Sequence, residues 1–400
     1  KSNGYSAIVR VKTKPADTDD VKSIASPMVA AGAGHTIALK YDGTVWTWGY
    51  NGYGQLGQGN TTSVYSPVQV KSSDGSSYLT DIIEIAVGAY HNLALAKDGT
   101  VWSWGYGPHG ELGNGTTANS SLPVKVKIGD GSVDLTGVVS IAAGYYNSFA
   151  VRKDGTVWSW GYNNYGQLGL GDSTSRTTAQ QVLGGASGSQ YLTDIVEVKA
   201  ATMHTLALKA NGTVYAWGNN YDGQLGNGYA SNTSDRNLPI QVLAGAQGSA
   251  SGYLEKVVNI DAISETSYYG YGSSIAVTED KKVYGWGGGR YGVLGAGATS
   301  QTVKPVKIAD IDTAVQASIG GTSNTYFTYI LKEDGTVSSL GYNGYGQLGN
   351  GTTNNKSRPI QVGGGSSNAM RITHGTVINT TTGIQSKEYK NELITNVTIA

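Results

Sequence analysis

The chain has 400 residues, a formal net charge of zero from 28 basic and 28 acidic side chains, and no cysteine. That balance leaves no electrostatic footprint for nucleic acid or an anionic membrane surface, and the missing thiols exclude a disulfide framework, a thiolate metal centre and a cysteine nucleophile. With 59 glycines, 27 tyrosines and 2 phenylalanines, and no apolar run near the ~20 residues a membrane-spanning helix needs, the composition leans towards β structure.

Lys1-Ser2-Asn3-Gly4 leads straight into polar sequence, with no stretch that reads as a secretion signal. Ser6-Ala7-Ile8-Val9-Arg10-Val11 then alternates as a strand should. From there a repeat dominates. Asp42-Gly43-Thr44-Val45-Trp46-Thr47-Trp48-Gly49 returns at Asp98–Gly105, Asp154–Gly161 and Asn211–Gly218, and in weaker form at Asp280–Gly287 and Asp334–Gly341. Each copy precedes a Gly-Gln-Leu-Gly-like box, and the boxes begin at Gly54, Gly110, Gly166, Gly223, Gly292 and Gly346. A period of about 55 residues lies in the range of propeller blades.

The second copy shows how a unit reads. Ile82–Val87 is an apolar strand, Asn92–Leu95 its partner, and Asp98-Gly99 a two-residue hairpin signal of the type I′ kind. Val101-Trp102-Ser103-Trp104 alternates as a third strand that Gly105 ends. A polar loop leads to a short strand opened by proline, as in Pro67-Val68-Gln69-Val70, Pro123-Val124-Lys125-Val126 and Pro305-Val306-Lys307-Ile308, which suits a sheet edge. Four short strands per unit and no amphipathic helix predict an all-β propeller of four-stranded blades.

The order Gly-x-x-His-Thr-x-Ala-Leu, Asp-Gly-Thr-Val-Trp-x-Trp-Gly, Gly-Gln-Leu-Gly is carried nearly throughout by Gly34-His35-Thr36-Ile37-Ala38-Leu39 and the segment on to Gly57. It resembles the repeat of the regulator of chromosome condensation family. The resemblance covers residues 26–362 as six clear repeats and implies a β-propeller, typically of seven blades. A seventh would have to come from the ends: the strand in residues 1–25, with Asn368–Gly375, Gly375–Asn379 and Leu393–Ile399 forming a degenerate blade over 363–400. Pairing the first strand with the last would close the ring and remove its edges. Alternatively, the terminal strands are held by a neighbouring molecule through strand addition.

Several motifs resemble chemistry that the repeat explains better. Gly52-Tyr53-Gly54-Gln55-Leu56-Gly57 and Gly344-Tyr345-Gly346-Gln347-Leu348-Gly349 match a dinucleotide fingerprint, but no helix can propagate from Gln58-Gly59-Asn60-Thr61-Thr62. His35, His91 and His204 hold one repeat position, shared by Asn147, Ser273 and Phe327; they read as structural hydrogen-bond formers within the blade rather than metal ligands. Asp42, Asp98, Asp154, Asp280 and Asp334 sit where turn chemistry asks for Asp or Asn. Asp17-Thr18-Asp19-Asp20 and Asp310-Ile311-Asp312 lack the spacing of a calcium loop. No nucleophile elbow, zinc-binding helix motif or P-loop is present, so no catalytic residue, metal or cofactor is expected.

Tyrosine placement is the informative feature. The loops after Trp-Gly carry Tyr50, Tyr53, Tyr106, His109, Tyr162, Tyr165, Tyr291, Tyr342 and Tyr345, and equivalent loops of a propeller share one face. Rings there either pack between blades or present a recognition surface. A second set of loops, Ser72–Tyr78, Gly129–Asp134, Gly184–Tyr191, Ala244–Tyr253 and Gly363–Asn368, is long and Gly/Ser-rich.

The expectation is a non-catalytic extracellular or cell-surface propeller, of prokaryotic type by its composition, that binds a protein or glycan through one loop face. Nucleic acid is not expected as a partner. The alternatives are a structural subunit of an extracellular assembly, a homo-oligomer joined by terminal-strand exchange, or a secreted binder of the enzyme-inhibitor kind. The resemblance implies a protein-interaction platform.

Overall fold

Every repeat alternates apolar and polar residues through four short runs, a period that strands satisfy and helices do not. The computed structural model describes residues 9–10, 25–184, 190–231, 234–264, 271–297, 299–321, 325–363, 370 and 372. It turns each repeat into an antiparallel sheet whose strands pair in chain order. In the second these are Ile82–Val87, His91–Ala96, Val101–Gly105 and Ser120–Lys125. The same order recurs in the sheets that begin at Met28, Val138, Ile195, Val257 and Ala314.

First strands of neighbouring sheets face one another. Ser140 Oγ donates to Glu84 Oε1 at 3.4 Å, Ser318 Oγ to Asp261 Oδ2 at 2.8 Å, and the Ala317 N–H to Asn259 Oδ1 at 3.0 Å. First strands are therefore innermost, and the fourth strands form an exposed rim, as Val64–Gln69 shows. The result is a β-propeller with six described blades.

The core lies in the seams between blades. Trp104 of the second blade fills a cluster with Ile37, Val45 and Val70 of the first, and Trp160 of the third does the same with Leu93, Val101 and Val126 of the second. Each indole also needs an acceptor once buried. Nε1 of Trp104, Trp160, Trp217 and Trp286 donates to the preceding blade's box carbonyl, on Gln55, Glu111, Gln167 and Gln224, at 3.0, 2.8, 2.8 and 2.9 Å. These four tryptophans are fully buried, whereas Trp48 of the first blade is half-buried.

The hairpins differ from the type I′ expectation. Gly99 has φ +84°, yet Asp98 is not among the positive-φ residues. The Ala96 N–H bonds Thr100 O at 2.9 Å and the Gly99 N–H bonds Ala96 O at 2.9 Å, so the loop is a three-residue turn closed by a left-handed glycine. Asp98 Oδ1 instead accepts the Thr100 N–H at 2.9 Å. In the fifth blade Lys281 takes the glycine's place at φ +64°.

The prolines sit in the middle of the rim strands rather than opening them, as Pro67 does in Val64–Gln69. Proline has no N–H to offer a further strand, so it seals the edge. The third blade has Ala179 at that position, and there the edge is used. Lys127–Ile128 pairs parallel to Arg176–Gln181 through Ile128 and Ala179, and a short hairpin with Val133–Asp134 covers the strand.

At the termini, Val9–Arg10 pair antiparallel with Val29 and Met28, on the inner edge of the first sheet. The expected pairing with a C-terminal strand lies outside the described residues, as do Gly375–Asn379 and Leu393–Ile399. Met370 and Ile372 are described, and they make the repeat's two contacts with one residue fewer between them. Their N–H groups bond Val362 O at 3.1 Å and Gly335 O at 2.7 Å, as Leu79 and Ile82 bond Val70 and Gly43.

Two substitutions test this account. Trp160→Phe deletes the buried donor together with the pyrrole half of the ring, and should cost about 2–5 kcal/mol in urea unfolding. Ala179→Pro should strip the Lys127–Asp134 hairpin from the rim. Faster hydrogen exchange at the Gly129 amide, with little change in midpoint, is the expected signature, and unchanged protection would contradict the edge assignment.

Candidate functional site

Two kinds of turn meet at one end of every blade. The residue after Trp-Gly bonds back to the turn between first and second strands: Tyr50 N–H to Gly34 O at 2.8 Å, Tyr106 to Tyr90 O at 3.0 Å, Tyr162 to Tyr146 O at 2.9 Å and Tyr342 to Tyr326 O at 2.8 Å. The glycine before it is obligatory, since a Cβ on Gly105 would lie 2.4 Å from Tyr90 O. Behind these turns a buried asparagine clamps the box in the first, third, fourth and sixth blades. Asn51 Oδ1 accepts the Leu56 N–H at 2.8 Å while its amide donates to Asn60 O and Thr62 O at 3.0 and 2.9 Å. Asn163, Asn220 and Asn343 accept from Leu168, Leu225 and Leu348 in the same way. The fingerprint-like glycines thus form tight turns, Gly54 N–H to Asn51 O and Gly57 N–H to Gly54 O, both 3.0 Å.

On this frame the rings form a contiguous layer. Tyr53 lies 5.9 Å from Tyr50 and 5.0 Å from Tyr106; Tyr106 lies 5.8 Å from Tyr146 and 6.2 Å from His109. His109 then lies 5.1 Å from Tyr162, which is 6.5 Å from Tyr165. A second group joins Tyr291, Tyr342 and Tyr345 at 4.9 and 6.0 Å. Most contacts are edge-to-face, the arrangement the ring quadrupole prefers. Tyr345 is 86% exposed and Tyr50 45%, while Tyr53, Tyr106, His109, Tyr162 and Tyr165 are half-buried.

The sequence reading missed Tyr90, Tyr145 and Tyr146, which bridge the loops it named: Tyr90 sits 5.3 Å from Tyr53, and Tyr146 lies 4.4 Å from Tyr145 and 6.3 Å from Tyr162. The available signal was the residue before the histidine position, in Gly88-Ala89-Tyr90-His91 and Gly144-Tyr145-Tyr146-Asn147.

Charge is distributed unevenly. Lys40–Asp42, Lys97–Asp81, Lys125–Asp134, Lys209–Asp194, Lys281–Glu333, Lys282–Asp280 and Lys307–Asp312 pair at the opposite, hairpin end, where the long Gly/Ser loops also lie. One ion pair, Arg176–Asp172, lies at the tyrosine end, on the loop that Asn163 clamps. Burial pushes the Tyr106, Tyr145, Tyr146 and Tyr162 hydroxyls up, Tyr146 to about 12, and burial lowers His109, so the strip is uncharged near neutral pH.

The histidines bond across the seams, correcting the expectation that they bond within the blade. Nε2 of His35, His91 and His204 meets Asn92 Oδ1, Ser148 Oγ and Ser274 Oγ of the next blade at 2.9, 2.9 and 3.0 Å. Burial lowers His35 to about 4 and His91 and His204 to about 3, which keeps them neutral. No group of three or more metal-ligating side chains occurs among the described residues. Asp310 and Asp312 pair with Arg358 and Lys307 at 3.3 and 2.8 Å, and Asp17-Thr18-Asp19-Asp20 lies outside the described residues.

One box residue breaks the pattern under the strip. Gln55, Gln167, Gln224 and Gln347 each accept the N–H two residues back, and Gln167 Nε2 also donates to Thr202 O at 3.3 Å. Glu111 accepts the His109 N–H at 2.8 Å, but its buried Oε1 has no hydrogen-bond partner. Burial pushes this carboxyl from its ordinary 4.5 up to about 8. The native state therefore favours the protonated acid, a contribution complete below pH 4.5 and lost as pH rises through 8. Glu111→Gln should leave stability nearly unchanged at pH 4 and raise it by on the order of 3 kcal/mol at pH 9. Calorimetric melts across that range check this, and a pH-independent difference would refute it.

Comparison with known proteins adds the lineage. The RCC1-like domain matches residues 7–324 and the regulator of chromosome condensation (RCC1) repeat matches 334–376. The ultraviolet-B receptor UVR8 of Arabidopsis thaliana is 32% identical over 334 residues, 83% of this chain and 68% of the receptor. The probable E3 ubiquitin-protein ligase HERC4 of Homo sapiens is 32% identical over 337 residues, covering 84% of this chain but 29% of that ligase. The crystal structure of Prp20p from Saccharomyces cerevisiae, at 18% identity, shares the fold with a TM-score of 0.64 over 84% of this chain and 77% of its own. Matched over most of its length, this chain belongs to the RCC1-like family of repeat β-propellers.

Proposed function

We propose that this chain is a non-catalytic scaffold that binds another protein through its tyrosine-bearing face. The observation that carries the reading is the uncharged ring strip from Tyr50 to Tyr165 at one end, opposed by ion pairs at the other. Tyrosine offers large, rigid contact area at little entropic cost, with a hydroxyl for polar contacts. Edge-to-face packing occupies ring faces that a sugar would stack on, which favours a protein over a glycan. Prp20p, of the same fold, is described with binding properties to Gsp1p and histones. His35, His91 and His204 are committed to the seams and the hairpin aspartates to turns. An extracellular or cell-surface location belongs to the same reading, on the Gly- and Tyr-rich composition.

Replacing Tyr50, Tyr165 and Tyr345 together by serine should move the thermal midpoint by only a few degrees, since surface substitutions typically fall within ±0.5 kcal/mol each. Affinity for a partner isolated from the native source and purified should fall about 100-fold, near 2.7 kcal/mol. Unchanged affinity in the triple variant would show that the partner docks elsewhere.

A further inference from the structure

The second blade departs from the repeat twice in one loop, under the middle of the tyrosine strip. Its box has Glu111 where the first, third, fourth and sixth blades have Gln55, Gln167, Gln224 and Gln347, and Gly107 stands where those blades have the clamping asparagine. No side chain fits at Gly107, since a Cβ there would lie 2.3 Å from Ala118 O. The loop Gly107-Pro108-His109-Gly110 therefore lacks the side-chain amide that ties the other loops to their boxes. It is held instead by the Gly107 N–H on Asn119 Oδ1 at 3.1 Å and the His109 N–H on Glu111 Oε2 at 2.8 Å.

That second bond depends on an acid placed where a charge is hard to keep. Glu111 is fully buried, and its Oε1 has no hydrogen-bond partner. In the third blade Gln167 Nε2 donates to Thr202 O, and Tyr145 holds the place of Thr202 in the turn of the blade that follows Glu111. A protonated carboxyl offers one donor, as that amide does, whereas a carboxylate only accepts. Gln55 Nε2 is also unpartnered, but it is neutral, and an unpaired charge costs far more to bury.

Nothing packed around Glu111 neutralises such a charge. Tyr106 and His109 belong to its own loop, and Tyr90 and His91 to the turn that loop bonds. Tyr145 and Tyr146 belong to the third blade's turn, and burial keeps both histidines and the phenols of Tyr106, Tyr145 and Tyr146 uncharged near neutral pH. Arg176, whose backbone meets Gly110, pairs with Asp172 at 2.6 Å, and Arg152, at the far end of the third blade's second strand, stacks on Trp158.

We propose that Glu111 is a pH-operated latch on the tyrosine face: protonated, it holds His109 in the strip, and ionised, with its proton lost to bulk water, it turns to solvent and releases the 107–110 loop. His109 lies 5.4 Å from Tyr146 and 5.1 Å from Tyr162, so its departure interrupts the strip between Tyr106 and Tyr162. The loop yields before the seam, because Trp160 and Ser148 both hold the Glu111 carbonyl, while Pro108 already faces solvent. Burial pushes the carboxyl up to about 8, so the face is closed at and below neutral pH and opens as pH rises through that value. This regulation rests on the reading of the strip as the binding face. The latch is tested without any partner, so its failure would leave that reading standing.

Glutamate carboxyl carbons are followed by NMR against pH, with the Glu111 signal assigned by its loss in Glu111→Gln, and this signal should titrate near 8 rather than 4.5. In the same protein, relaxation enhancement of the His109 amide by a neutral gadolinium chelate should rise about 3-fold or more from pH 6 to pH 9.5, while that of the Trp160 indole N–H stays low. Glu111→Gln restores the residue that other blades carry, and it should give a flat profile at His109. A carboxyl titrating near 4.5, a flat profile in the wild type, or a rise that persists in Glu111→Gln would each overturn the latch.

Discussion

One backbone carbonyl per blade holds this molecule together. In the first four blades the second box residue presents its C=O to the next, where a buried indole N–H and a side chain from the neighbouring second strand both donate to it. Gln55 O receives Trp104 Nε1 and Asn92 Nδ2, and Glu111 O receives Trp160 Nε1 and Ser148 Oγ. Gln167 O and Gln224 O receive Trp217 with Thr205 and Trp286 with Ser274. A carbonyl has two lone pairs, and both are used inside an apolar seam, where an unpaired polar group would be costly. The histidine of the earlier blade closes the loop by bonding the same neighbouring side chain, as His35 bonds Asn92. The glycine box exists to aim that carbonyl.

This constraint also builds the tyrosine face. Because the box must return to the seam, the loop before it is pinned by the buried asparagine and by the hydrogen bond to the first turn, and its aromatic residues are pushed to one end. Rings from different blades then meet, Tyr53 and Tyr106 at 5.0 Å and His109 and Tyr162 at 5.1 Å, though they lie some 50 residues apart in the chain. Glu111 shows the cost of varying the box: its carbonyl still serves Trp160, but its side chain must keep a proton where other blades have an amide. Val293 keeps the carbonyl role too, accepting from Thr328 Oγ1 at 3.0 Å.

Much of this was legible in the chain because repetition exposes it. Six copies of one motif order identify the strands, and substitutions among copies separate turn residues from chemistry, as Asn211 does for the hairpin aspartates. The errors came where a local signal had two geometric solutions. Asp-Gly suits a two-residue I′ turn or a three-residue turn closed by glycine, and the bond of Asp98 to the Thr100 N–H favours the second. His35 was assigned a partner in its own blade because sequence cannot show which blade lies against which face.

By itself the sequence determined the all-β class, the repeat, the rim position of the prolines and the absence of thiol chemistry, since each follows from local pattern or composition. Tertiary structure decided what depends on contact between distant residues: that Tyr90 and Tyr146 complete the ring layer, and that Ala179 accepts a strand from the blade before it. The reason is physical. A strand's period fixes which side chains share a face, but only the packing of one blade on the next fixes which groups that face will meet.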